Sequence, residues 1–169
     1  LDKYIRKHIP SGRSVNKGIN PMLEEAYNTV GADMAFADFM DRITATADKL
    51  YIPVDRCFEA LGSLGGGNHF IEVDKDETGE RWLLIHSGSR NLGLQIATHH
   101  QNLAVERTHE DSPIKFLTGR AAGEYIEDMK FAQLYARVNR ALMAFQICCD
   151  YFKRAKSKFD AVESVHNYI

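Results

Sequence analysis

Apolar positions along this chain recur mostly at steps of three and four, the spacing that gives a helix one buried stripe. Leu1–Ile9 reads as the end of a helix stopped at Pro10-Ser11-Gly12. Asn20-Pro21 supplies an N-cap and a proline suited to a first helical turn, and Leu23, Tyr27 and Val30 give the following helix an apolar side as far as Gly31. Phe36, Phe39, Met40, Ile43 and Leu50 stripe a second helix that ends before Pro53, and Asp55 to Leu61 form a short one closed by Gly62. From Asn91 to about Thr108, Leu92, Ile96 and Leu103 mark another helix, broken at Asp111-Ser112-Pro113; its His99 and His100 read as ordinary helix residues rather than ligands. The longest element runs from about Gly123 to Phe159. There Phe131, Tyr135, Val138, Leu142, Phe145, Cys149 and Phe152 alternate steps of four and three. So long a stripe is first of all core packing, and it also suits a helical layer over strands or a dimer seam.

Three short apolar runs break this period, and each meets a histidine. Leu64-Gly65-Gly66-Gly67 leads into Asn68-His69-Phe70-Ile71-Glu72-Val73; Trp82–Ile85 ends in His86-Ser87-Gly88-Ser89-Arg90; Val162–Val165 ends in His166-Asn167. If the first run is extended, His69, Ile71 and Val73 share one face and Asn68, Phe70 and Glu72 the other. Asp74–Glu80, with Gly79, is a polar turn between the first two runs. The pattern predicts an α+β fold, a mixed sheet carrying the histidine motifs and covered by helices that include the long one. It leaves strand order open.

Composition narrows the class. With 169 residues, 44% apolar and 26% charged, the chain is long enough for one domain with a core of its own. No apolar run approaches a membrane span, and the first twenty residues lack the apolar centre of a signal peptide, so a cytoplasmic location without membrane contact is the default expectation. Cys57 and the adjacent pair Cys148-Cys149 match neither a disulfide framework nor a zinc-binding spacing, and the pair reads as core thiols. At a net charge of −2 the chain as a whole does not attract nucleic acid, so any such contact needs a local patch. Lys153, Arg154, Lys156 and Lys158 form one cluster, read as a solvated helix end.

The candidate chemistry lies in the glycine and histidine segments. Glycines let a ligand approach the backbone, and successive amides in such a turn can form an anion-binding hollow. Imidazole is a common ligand for divalent transition metals, and three histidines at strand ends can converge in space. A phosphate-binding loop is excluded because no Lys-Ser/Thr follows either glycine segment. A dinucleotide fingerprint is excluded by glycine spacing and by the strand that follows. Neither a Gly-x-Ser-x-Gly elbow nor a His-Glu-x-x-His helix is present. What remains is a histidine-bound metal beside a glycine-lined anion pocket, with Arg90 placed to grip a phosphate. Buried structural histidines and a loop-bracing arginine would give the same pattern, in a non-catalytic interaction module. A metal-dependent phosphohydrolase or a phosphate-binding protein would also use it.

The segments from Gly62 to Val73, from His86 to Gly93 and from His166 to Tyr168, in that order and with the large gap before the third, resemble the RtcB-type RNA-splicing ligases. The resemblance implies joining of an RNA 3′-phosphate or 2′,3′-cyclic phosphate to a 5′-hydroxyl, with GTP and two manganese ions, on tRNA halves or broken RNA. It implies His69 as ligand to one manganese and His86 and His166 as ligands to the second. Asn68, His69, Phe70, Ile71 and Glu72, with His166 and Asn167, would line the guanine-nucleotide site, and Arg90 would hold an RNA or nucleotide phosphate. The family's upstream Asp–Cys pair has no match here, since Cys57 lies only twelve residues before His69. The family's guanylylated histidine would fall beyond Ile169. On this resemblance the chain is expected to be the middle portion of a ligase, inactive alone, with no catalytic nucleophile of its own.

Overall fold

Helices carry most of the protein, and the order of elements follows from where the stripes start and stop. The computed structural model describes residues 1–153 and 161–164. Helix α1 (Asp2–His8) ends as Ile9, the residue before Pro10, turns extended. Helix α2 spans Leu23–Asn28. It is preceded by a turn in which the Asn20 side chain accepts from the Met22 N–H at 2.9 Å, the bonding expected of a cap but placed ahead of the helix proper. Helices α3 (Phe36–Lys49) and α4 (Val54–Ala60) follow. Strands β1 (Phe70–Lys75) and β2 (Arg81–His86) lead to helices α5 (Arg90–Arg107) and α6 (Gly119–Gln146).

The core forms around α6. Phe131, Tyr135, Val138, Leu142 and Phe145 are buried against Leu23 and Tyr27 of α2, Phe39 and Ile43 of α3, Cys57 and Leu61 at α4, and Leu92 and Ile96 of α5. Tyr27 and Phe131 flank Phe39, with ring centroids 4.9 and 5.9 Å from it. The expected stripe thus packs a helical core. It does not continue as one α-helix to Phe159: a π turn, Ile147–Tyr151, follows Gln146, and the Phe152 N–H donates to the Ile147 carbonyl at 3.1 Å. The wider turn shifts the phase of the stripe, leaving Phe152 exposed and Cys148 and Cys149 only half-buried, while Cys57 is the buried thiol.

The fold is α+β, as the pattern predicts, but the sheet differs in kind. Among the described residues it is a two-stranded antiparallel hairpin, with Phe70 opposite His86 and Lys75 opposite Arg81. The short turn at Asp76–Glu80 allows only such a direct return, since a parallel partner needs a crossover of a dozen or more residues. The long helix α6 packs against β2, while Phe70, Val73, Trp82 and Leu84 are exposed among the described residues. Residues 161–164 have no regular structure. The rest of the expected third strand, with His166 and Asn167, lies outside the described residues, as do Arg154, Lys156 and Lys158. No helix among the described residues is long and apolar enough to cross a membrane.

Candidate functional site

The glycine loop between α4 and β1 is tied to a distant part of the chain. Gly65 forms a parallel bridge with Ser11; its carbonyl accepts from the Gly12 N–H at 2.7 Å, and the Leu64 N–H donates to the Pro10 carbonyl at 2.8 Å. Gly65 is in the left-handed region, φ +91°, and a Cβ there would collide with Nη1 of Arg90 and Nδ1 of His69. Only glycine satisfies both the backbone and the close approach. The loop is thus a shelf on which two predicted site residues rest.

Around that shelf the first two motifs meet. The rings of His69 and His86 have centroids 5.7 Å apart, and Phe70 stacks on His86 at 5.4 Å and 12°. Asn68 Nδ2 lies 3.4 Å from His86 Nε2. His69 does not follow the pleat expected of it. The strand begins only at Phe70, and the glycine turn before it brings His69 round toward His86, the cross-strand partner of Phe70. Glu72 is exposed one step along on the Phe70 side of the hairpin, whereas Ile71, opposite Ile85, is on the other.

Arg90 joins this group at strained geometry. It begins α5 with φ 53°, a conformation that costs a non-glycine residue of order 1 kcal/mol or more. Ser89, the cap of α5, accepts from the Gly93 N–H at 3.2 Å. The guanidinium donates through Nη2 to the Gly12 carbonyl at 3.0 Å, while its Nε is buried with no hydrogen-bond partner. Burial pulls its pKa down from a very high ordinary value, so the group stays charged. His69 Nδ1 is also buried without a well-formed hydrogen bond. Burial pushes the His69 pKa down; the nearby Leu64 carbonyl works the other way, and Arg90 and His86 add to the fall. A neutral imidazole, the form that binds metals, is therefore favoured at neutral pH.

The residues that hold the two motifs together are absent from the sequence-derived set. Asn139, wholly buried on α6, accepts through Oδ1 from the Gly62 N–H (2.8 Å) and the Ser63 N–H (3.2 Å). Its Nδ2 faces the Ser63 carbonyl (3.2 Å), Ser87 Oγ (3.0 Å) and the Gly88 carbonyl (3.2 Å). Ser87 Oγ in turn donates to the Leu64 carbonyl at 2.7 Å, and Arg140 Nη1 to the Ser87 carbonyl at 2.7 Å. The available signal was an asparagine between Val138 and Leu142 on a stripe otherwise read as apolar. An open cleft of about 590 Å³ lies elsewhere, lined by Arg42, Lys49, Arg120, Glu124, Glu127 and Asp128 among others. Its cations and carboxylates balance, and neither His69 nor His86 reaches it.

Paired imidazoles, a buried guanidinium and a shelf without a side chain fit a divalent metal beside a phosphate. The fit is partial: no group of three or more His, Cys, Asp or Glu side chains converges among the described residues. The family model described as tRNA-splicing ligase RtcB matches residues 4–169, and the chain belongs to that family. It is 38% identical over 94 residues to RNA-splicing ligase RtcB of Escherichia coli (strain K12), covering 51% of this chain and 23% of that protein. To tRNA-splicing ligase RtcB of Nanoarchaeum equitans (strain Kin4-M) it is 27% identical over 147 residues, 75% of this chain and 29% of the relative. The chain thus spans about a quarter of the length of the curated relatives it matches.

Proposed function

We propose that this chain carries part of the catalytic centre of an RNA ligase that joins an RNA 3′-phosphate or 2′,3′-cyclic phosphate to a 5′-hydroxyl, with GTP and manganese. The observation that carries the reading is the convergence of His69, His86 and Arg90 at Gly65 and the glycine loop. His69 would hold one manganese ion, and His86 with His166 a second. Bound there, the metals would neutralise phosphate charge and favour an in-line displacement at phosphorus.

The chain's own residues orient and bind. Arg90 presents a guanidinium fixed by Gly12, suited to a phosphate of RNA or nucleotide. Asn68, His69, Phe70, Ile71 and Glu72, with His166 and Asn167, would line the guanine-nucleotide site. His69, held neutral by burial, is ready to donate a lone pair. The reading carries with it a cytoplasmic setting, with tRNA halves or broken RNA as substrates.

The test is joining of an RNA with a 2′,3′-cyclic phosphate end to one with a 5′-hydroxyl end by the full-length protein, supplied with GTP and manganese. A joined product is expected, and His86→Ala is expected to abolish it, with loss of bound metal and an unchanged circular dichroism spectrum. Folded wild-type protein that joins nothing overturns the reading. Release of inorganic phosphate without joining, and with no covalent label from GTP, would point instead to a metal-dependent phosphohydrolase. A His86→Ala protein that unfolds yet keeps its metal would make His86 a packing residue.

A further inference from the structure

We infer that Asn139 is a positioning residue, one whose side-chain amide sets the distance between the loop leading to His69 and the loop leaving His86, and so the separation of the two imidazoles. The inference rests on the proposed function above.

The amide is used to capacity. Its oxygen has two lone pairs and takes two backbone N–H groups, Gly62 and Ser63; its nitrogen has two hydrogens and faces three acceptors, in Ser63, Ser87 and Gly88. Oxygen and nitrogen cannot be exchanged here, because a flipped amide would point N–H at N–H on one side and C=O at C=O on the other. One end therefore reads the segment before the glycine shelf, and the other reads both that segment and the residues just after His86. The Ser87 hydroxyl extends the link by passing a hydrogen bond from Asn139 to the Leu64 carbonyl, next to Gly65. The connection between the histidines thus runs from His86 through Ser87 and Leu64 to the shelf on which His69 rests.

Neighbours on α6 make the helix a stiff reference for this clamp. Arg140 donates to the Ser87 carbonyl, and Tyr135 Oη, one turn earlier, donates to the Cys57 carbonyl at 2.5 Å. A Cβ on Gly62 would meet the Leu142 side chain at 3.0 Å, so α6 lies close against the chain before the shelf. A buried amide serving only stability would not need to contact both histidine segments. Groups that hold metal ligands in place from behind commonly change metal affinity or activity about ten- to a hundred-fold when altered.

Asn139→Asp keeps the volume and the acceptor oxygen but loses the paired donors. In the full-length protein, manganese affinity per folded molecule, measured by calorimetric titration with the metal alone, is expected to fall about ten- to a hundred-fold. In the metal-free protein, amide exchange at Gly62 and Ser63 should accelerate. Ile43→Val, in the helical core and away from these loops, supplies a stability control and should leave the affinity unchanged. If Asn139→Asp does not fold, Ser87→Ala carries the test: it removes the relay hydroxyl, weaker binding is expected, and Ser87→Thr should restore it. Wild-type binding with unaltered affinity in every folded variant overturns the positioning role alone. A wild-type protein that binds no manganese overturns the functional reading, and this inference with it.

Discussion

The Asp76 carboxylate takes four donors at the tip of the hairpin. Oδ1 accepts from the Thr78 N–H (2.9 Å), the Thr78 hydroxyl (2.7 Å) and the Glu80 N–H (2.9 Å), and Oδ2 from Trp82 Nε1 (2.8 Å). These bonds, the Thr78 and Trp82 side chains first, bring its pKa down to about 2. A depressed carboxyl stabilises the folded turn fully above its unfolded value of about 4, and that contribution disappears as pH falls through the folded value. Trp82 is the chain's one tryptophan, so its emission reports on the turn. A red shift is expected between pH 4 and 2, and Asp76→Asn should remove this step; an identical titration in the variant would assign it to another carboxylate. Composition marks Asp74–Glu80 as a turn, but which of its acids organises it depends on where Trp82 returns from the opposite strand.

At the scale of elements, helix ends show how far local sequence reaches. Pro53 and the stripe that stops at Leu50 place the end of α3 correctly. The end itself is built by an unexpected residue: Tyr51, with φ 54°, occupies the left-handed position usually given to glycine. The Tyr51 N–H donates to the Asp48 carbonyl at 3.2 Å and the Ile52 N–H to the Ala47 carbonyl at 3.0 Å, closing the last turn. Tyr51 is 96% exposed, so its ring contributes little packing to offset that conformation. Tyr51→Gly should stabilise the chain by about 0.5 kcal/mol, the relief of left-handed strain less the added freedom of glycine in the unfolded chain. Urea denaturation of both proteins measures it, and a less stable variant would mean that the ring makes a contact worth more than the strain. The far end of α6 is less legible: the stripe continues through Cys149 and Phe152, while the backbone widens into a π turn that hydropathy does not register.

Across the whole molecule, one buried carboxylate ties three helices. Asp128 of α6 binds Arg42 (2.9 Å) and Lys49 (2.7 Å) of α3 and the buried His100 of α5 (2.9 Å). Burial alone would raise the Asp128 pKa, but hydrogen bonds from Lys49 and His100 and the charges of Lys49 and Arg42 outweigh it and hold the group below its ordinary range. Asp128→Asn leaves Arg42 and Lys49 without their counter-charge. Because Arg42 and Lys49 are each partly exposed, the loss should be nearer 2 than the 3–5 kcal/mol roughly expected of a fully buried pair. Chemical denaturation at neutral pH checks it; a change under about 0.5 kcal/mol would make this an ordinary surface network. His100 looks like any other helix residue until α3 and α6 are packed against it.

The division of information is the same at the candidate site. Period and punctuation, which depend on neighbours within a few residues, marked where the main helices lie, the polar turn at Asp74–Glu80 and the motifs around His69 and His86. They also determined that Gly65 and Arg90 belong to those motifs. Which side of the hairpin His69 takes was decided by where the glycine turn hands over to β1, a backbone choice enforced by a bridge to Ser11, 54 positions away in sequence. How far the hairpin is covered was decided by tertiary packing, which sets α6 against β2 and leaves Phe70, Val73, Trp82 and Leu84 exposed. The clamp at Asn139 belongs wholly to the tertiary structure. An amide on a helical stripe is a local exception in the sequence, and it acquires a role only when packing brings Gly62, Ser63, Ser87 and Gly88 within hydrogen-bond reach.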